Sequence, residues 1–171
     1  CCAQMVDKRR LSLGSMFQII LYQPEIPPNT GNIIRLAANT GSKLHLIEPL
    51  GFTMQDKLMR RAGLDYHEYA DVQKYPNWET FLQTQAPNAS RLFALSTKGV
   101  SCAHETNFLP GDWFLFGQET RGLPLEVREQ FDAAHLLRLK MIEGQRSLNL
   151  SNTVAIVLYE AWRQHHFAGA N

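Results

Sequence analysis

Cysteine is scarce in this chain of 171 residues: Cys1 and Cys2 stand side by side, and Cys102 stands alone. An odd number without regular spacing gives neither a disulfide framework nor a zinc site. It fits a reducing compartment, so a cytoplasmic location is expected. Excess charge is also absent, since 17 Lys and Arg face 16 Asp and Glu for a net charge of +1. Any nucleic-acid contact must therefore rest on a local basic patch, not on the field of the whole molecule. No apolar run approaches a membrane span, so no membrane association is expected. The usual nucleotide signatures are missing: FQIILY runs into QPEIPPNTGN, not G-x-G-x-x-G, and G-x-x-x-x-G-K-[ST] occurs nowhere. The lack of a G-x-S-x-G elbow argues against an α/β hydrolase. No His, Cys and carboxylate spacing suggests a metal centre, and the stretch from Cys102 to Glu105 reads as a plain loop.

What is present reads as one domain. Residues 1–15, CCAQMVDKRRLSLGS, carry no strand or helix period, and no apolar h-region follows their basic residues. They are expected to be a disordered leader, native or added, ahead of a domain spanning 16–171. Short runs rich in β-branched, aromatic and leucine residues predict strands at Phe17–Tyr22, Lys43–Ile47, Arg91–Leu95, Asp112–Phe116 and His135–Leu139. Helices are expected over Asn32–Thr40, Asp56–Ala62, Trp78–Thr84, Leu125–Phe131 and Ser151–His165. Alternation of strand and helix predicts an α/β fold with a mostly parallel sheet, whose ligands bind at the C-terminal ends of its strands. The loop 96–111 is long, and long loops in compact domains are often functional.

Three polar clusters follow strands. In PEIPPNTGNIIRLAANTG, residues 24–41, the prolines stiffen the loop and Asn29 or Thr30 is placed to cap a helix. On that helix Asn32, Arg35 and Asn39 form one polar stripe. It reads either as a solvated face or as a functional one, and two Asn flanking one Arg is unusual for the former. In FLFGQETRGLP, residues 114–124, an apolar strand ends in Gly117 and leads through Glu119, Arg121 and Gly122. A tight turn explains the glycines but not the two charges between them. In LRLKMIEGQRSLNLSN, residues 137–152, Ser147, Asn149 and Ser151 alternate with leucines. Helix capping, for which Ser151 is well placed, needs one of them, not three. The helix that follows carries Val154, Ile156, Val157, Leu158, Ala161 and Trp162 nearly all the way round. It reads as buried on more than one side.

Together and in this order, the clusters resemble the SPOUT superfamily of RNA methyltransferases. Asn29, Gly31 and Arg35 match N-x-G-x-x-x-R; Gly117, Glu119 and Gly122 match G-x-E-x-x-G; Ser147, Asn149 and Ser151 match S-x-N-x-S. The likeness extends over nearly all of 16–166 and is strongest to the small single-domain, TrmL-like (YibK-like) branch. The resemblance implies an α/β sheet with helices on both faces and a deep C-terminal trefoil knot. It also implies a homodimer that methylates the ribose 2′-hydroxyl of the wobble cytidine or uridine in the tRNA anticodon stem-loop, with S-adenosyl-L-methionine as donor and no metal. Carried over residue by residue, Leu95, Gly117, Gly122, Leu139, Met141 and Ser147 hold the cofactor, and Arg35, Glu119, Ser147 and Asn149 form the catalytic set. Where family members often carry Pro after the strand ending near Leu139, this chain has Lys140, which bears on the rigidity of that loop.

The resemblance assigns the general-base role to Arg35. A guanidinium is effectively always protonated; binding a phosphate and stabilising a developing alkoxide suit it better. Arg35 is thus expected to be essential, with its role as a base left open. Lys57, Arg60, Arg61, Lys98, Arg121, Arg138 and Arg146 are candidates for a local RNA-facing patch. Two other readings share these motifs: a ribosomal RNA ribose methyltransferase, and a non-catalytic RNA-binding module of the same fold.

Overall fold

The computed structural model describes residues 15–54 and 72–170. The expected helix Asp56–Ala62, with Lys57, Arg60 and Arg61, lies outside the described residues, as does nearly all of the leader. Seven strands, β1 (Gln18–Tyr22), β2 (Lys43–Ile47), β3 (Val72–Tyr75), β4 (Leu92–Leu95), β5 (Ser101–Cys102), β6 (Trp113–Phe116) and β7 (Leu136–Arg138), form one sheet in the order β3-β2-β1-β6-β4-β7-β5. Every pairing between strands is parallel. Among the described residues the helices are α1 (Pro27–Thr40), α2 (Trp78–Gln85), α3 (Leu125–Arg128) and α4 (Leu150–Gln164). No helix among the described residues is long and apolar enough to cross a membrane.

The central strands are apolar without interruption because both faces are covered. Side chains alternate between faces. Ile19, Leu21, Leu44, Leu46, Phe114 and Phe116 join Ile33, Ile34 and Ala37 of α1 and Val154, Val157, Leu158, Ala161 and Trp162 of α4 in one core. Ile20, Ile47, Ala94 and Leu115 face the other way and pack with Trp78 and Phe81 of α2 and Val127 of α3. At the N-terminal ends of the strands, buried Asp112 accepts from the Arg91 guanidinium at both oxygens and from the Leu109 N–H at 2.7 Å. That fork ties the approach to β4 to the approach to β6.

Several expectations need correction. Strands β3 and β5 were not expected: VQKY is polar because it lies at a sheet edge, and β5 has only two residues. The stretch from Cys102 to Glu105 is not a plain loop but the end of β5 running into a 3-10 turn, with Cys102 buried. Helix α3 stops at Arg128, short of Phe131. The all-round apolar helix resolves into a stripe at 154, 157, 158, 161 and 162, with Ile156 left 37% and Tyr159 46% exposed.

Candidate active site

Helix α1 begins five residues earlier than the pattern of its apolar positions suggests, because Pro27 and Pro28 occupy N1 and N2. Proline fits there, its missing N–H being one that a helix start leaves unpaired anyway. Asn29 and Thr30 consequently lie inside the helix and do not cap it, and the residue at the cap, Ile26, has no side chain that can. The cap comes from the second cluster. The Glu119 carboxylate accepts from the backbone N–H of Glu25 at 2.8 Å and of Ile26 at 3.1 Å, and from Asn29 Nδ2 at 3.2 Å. A carboxylate there also meets the positive end of the helix dipole. Glu25 returns the contact: its carboxylate accepts from the Thr120 N–H at 3.0 Å and from the Thr120 hydroxyl.

Asn29 is the hinge of the arrangement. While its Nδ2 donates to Glu119, its Oδ1 accepts from Asn149 Nδ2 at 2.8 Å. Asn149 Oδ1 in turn accepts from the Ser151 N–H at 2.9 Å and the Ser151 hydroxyl at 2.7 Å. Asn149, not Ser151, is therefore the N-cap of α4. One polar bridge, Glu119–Asn29–Asn149, thus joins the three clusters across the C-terminal side of the sheet.

Gly117 is required by close approach of backbone. A Cβ there would lie 2.3 Å from Gly122 C and Leu123 N, and the turn closes by paired hydrogen bonds between Gln118 and Gly122 at 3.2 and 2.9 Å. Gly122 itself has φ +67°, which favours glycine. The loop after β4 crosses β7 as tightly: a Cβ on Gly99 would meet Leu137 C at 2.4 Å. Lys140 ion-pairs with exposed Glu105, a tether from that loop to the 3-10 turn.

These loops enclose a cleft of about 680 Å³ at the C-terminal ends of β4, β6 and β7. All of Leu95, Gly117, Gly122, Leu139, Met141 and Ser147 line it, together with Glu119 and Asn149. Arg35 does not: it is exposed on the stripe of α1 with Asn32 and Asn39, outside the cleft of its own chain. Of the basic candidates, Lys98 and Arg121 line the cleft; Arg138 and Arg146 do not. Glu25, Thr120 and Arg128, which belong to none of the matched motif positions, also act on or line this site. An acidic residue two positions before a helix that begins with two prolines is the one local signal for Glu25. Among the described residues no group of three or more His, Cys, Asp and Glu is placed to hold a metal ion.

The cleft can therefore seat a small molecule against strand-end backbone and apolar side chains, with cations at its wall. Residues 16–159 match the SpoU rRNA Methylase family. The chain is 64% identical over 152 residues to a tRNA (cytidine(34)-2′-O)-methyltransferase of Acidovorax sp., covering 89% of this chain and 94% of the relative. It is 62% identical over 156 residues to the protein of the same name from Polaromonas sp., covering 91% and 95%. A solved structure described as giving insight into the 2-OH methylation of C/U34 on tRNA superposes with a TM-score of 0.80 at 43% identity, over 90% of this chain and 98% of the other. The SpoU methyltransferase AviRb of Streptomyces viridochromogenes, in complex with AdoMet, superposes with a TM-score of 0.76 at 25% identity, over 95% and 66%.

Proposed function

Because the chain belongs to the SpoU rRNA Methylase family, we propose that it transfers a methyl group from S-adenosyl-L-methionine to the ribose 2′-hydroxyl of nucleotide 34 in the anticodon stem-loop of a tRNA. The observation that carries this reading is the Glu119–Asn29–Asn149 bridge, which draws all three polar clusters around one cleft. The names of the relatives supply the substrate class.

The residues present fit the cofactor. The absence of a Cβ at Gly117 lets the turn close, and Leu95, Leu139, Met141, Leu148 and Leu150 offer apolar surface on which an adenosine can lie. When bound, the cofactor supplies a sulfonium-activated methyl, so no metal is needed to make an electrophile. The protein's work is to align the acceptor and stabilise the charge that develops on it. Leu95, Gly117, Gly122, Leu139, Met141 and Ser147 form the cofactor pocket. Glu119 and Asn149 hold the loops in register, since their polar atoms are engaged by α1 and α4. Arg35 binds the phosphate beside the target ribose and stabilises its developing alkoxide.

Arg35 lies outside its own chain's cleft, so the catalytic set is complete only when a second copy brings it in. Exposed Ile156 and Tyr159 on α4, with Leu148 at 41% and Ile142 at 79% exposure beside the cleft, supply apolar surface for that homodimer. The tight crossing of the 96–100 loop over β7 supports a C-terminal trefoil knot, with the cofactor held by its loops. A cytoplasmic location follows from a tRNA substrate.

The test is transfer from labelled cofactor to unmodified total RNA, followed by nucleoside mapping. Label is expected in 2′-O-methylcytidine or 2′-O-methyluridine at nucleotide 34 of tRNA. Label confined to ribosomal RNA, or no label from a protein that binds the cofactor, would overturn the assignment.

A further inference from the structure

The cleft is more positive than the chain that forms it. Three cations, Lys98, Arg121 and Arg128, and one carboxylate, Glu119, line its wall, whereas the whole sequence carries a net charge of only +1. The Glu119 oxygens are taken by two backbone N–H groups and Asn29. Among the described residues the charged group of none of the three cations makes an ion pair or a hydrogen bond; Lys98 donates only its backbone N–H, to Ser96 Oγ at 3.1 Å.

Arg128 differs from the other two. Lys98 and Arg121 are exposed on loops, but Arg128 is half-buried at the end of α3. Its segment is anchored by buried Leu123 and Val127 and by the Arg128 N–H donating to Pro124 O at 3.0 Å. A half-buried guanidinium gives up part of its hydration, and no carboxylate here offsets that cost. Its planar fork matches two oxygens of one anion.

We propose that Arg128 is the oxyanion-binding residue of this cleft, flanked by Arg121 and Lys98. Resting on the methyltransferase reading, two ligands bring the required chemistry: the α-carboxylate of the cofactor and a phosphodiester of the RNA.

Calorimetric titration of Arg128→Gln with S-adenosylmethionine and with 5′-methylthioadenosine, which lacks the amino-acid part, separates the first source. Titration with an anticodon stem-loop RNA across a salt series separates the second. If the carboxylate is the partner, affinity for S-adenosylmethionine falls about tenfold or more and that for 5′-methylthioadenosine is unchanged. If a phosphodiester is the partner, cofactor affinity holds, RNA binding weakens, and its log–log salt slope flattens by about 0.7; Arg128→Lys, which keeps the charge, restores the slope. Should Arg128→Gln fail to fold, Arg128→Lys still serves, because loss of the fork weakens whichever ligand Arg128 grips. A folded variant that binds all three probes like the parent protein, with the same salt slope, overturns the proposal. A parent protein that binds neither cofactor nor RNA overturns the methyltransferase reading along with it.

Discussion

The two ends of the sheet treat charge in opposite ways. At the N-terminal ends of β4 and β6, Arg91 and buried Asp112 neutralise each other in a fork, and the Leu109 N–H satisfies what remains. At the C-terminal ends of the same strands, Lys98, Arg121 and Arg128 stand along a cleft without a carboxylate of their own. The first end spends its charges on the fold; the second keeps them for a ligand. Arg35 belongs to neither, since it lies on the exposed stripe of α1.

This contrast predicts which substitutions damage activity and which damage stability. The largest effect is expected at Arg35. Arg35→Ala should lower turnover about 100- to 1,000-fold, the order seen when one transition-state donor is removed. Its thermal midpoint and its calorimetric affinity for the cofactor should stay near those of the parent. A comparable loss of cofactor affinity would place Arg35 in the cofactor site instead. At the opposite end, Arg91→Ala leaves buried Asp112 without its cation and should cost about 3 kcal/mol of stability in denaturant melts. Cofactor affinity in the surviving folded fraction should not change.

A third region, away from both, gives a control by pH. His45 is buried between Gln18 Oε1 at 2.9 Å and the Tyr75 hydroxyl at 3.1 Å. Burial, aided by nearby Lys43, lowers its pKa to about 4 from the usual 6.5. The unfolded chain therefore takes up a proton that the folded chain refuses. Stability from this source is complete above pH 6.5 and falls as the pH drops toward 4, by about 3 kcal/mol at most. His45→Leu should lack this part of the acid limb in melts across that range; an unchanged acid limb would show that His45 is not its source. The smallest effect is expected at the bridge. Asn29→Ala leaves Glu119 and Asn149 to water at a partly exposed site, a loss of about 1 kcal/mol. It should weaken cofactor binding severalfold while leaving α1 helical by circular dichroism.

The middle of the sheet was legible in the sequence because it is buried on both faces. Apolar runs such as Phe114–Phe116 mark a strand, and Lys43–Ile47 coincides with its predicted bounds. The edges were not: β3 carries Gln73 and Lys74 because that edge faces solvent. The start of α1 was half legible. Its prolines were visible, but its cap lies 94 residues away in sequence, and no local pattern carries a contact of that range. The same holds for the site. The motif residues that line the cleft were found by resemblance. That Asn29 links two of the motifs, that Glu119 and Asn149 cap helices, and that Gly117 closes a turn against Gly122 became visible only in three dimensions.

The central claim is that each cleft is completed by Arg35 of a second chain, and subunit mixing tests it directly. Gly117→Val forces a side chain into the backbone of Gly122 and Leu123 and should abolish cofactor binding by displacing the turn. Arg35→Ala keeps the cofactor but not turnover. Each variant alone should show at most about a hundredth of the parent turnover, and each should remain a dimer by light scattering at micromolar concentration. After subunit exchange, a mixed dimer holds one site with both defects and one with neither. The account predicts that methyl transfer to tRNA reappears, approaching a quarter of the parent rate per chain at equal mixing with random exchange. A mixture that stays inactive after confirmed exchange, or a parent protein that is monomeric, would contradict it.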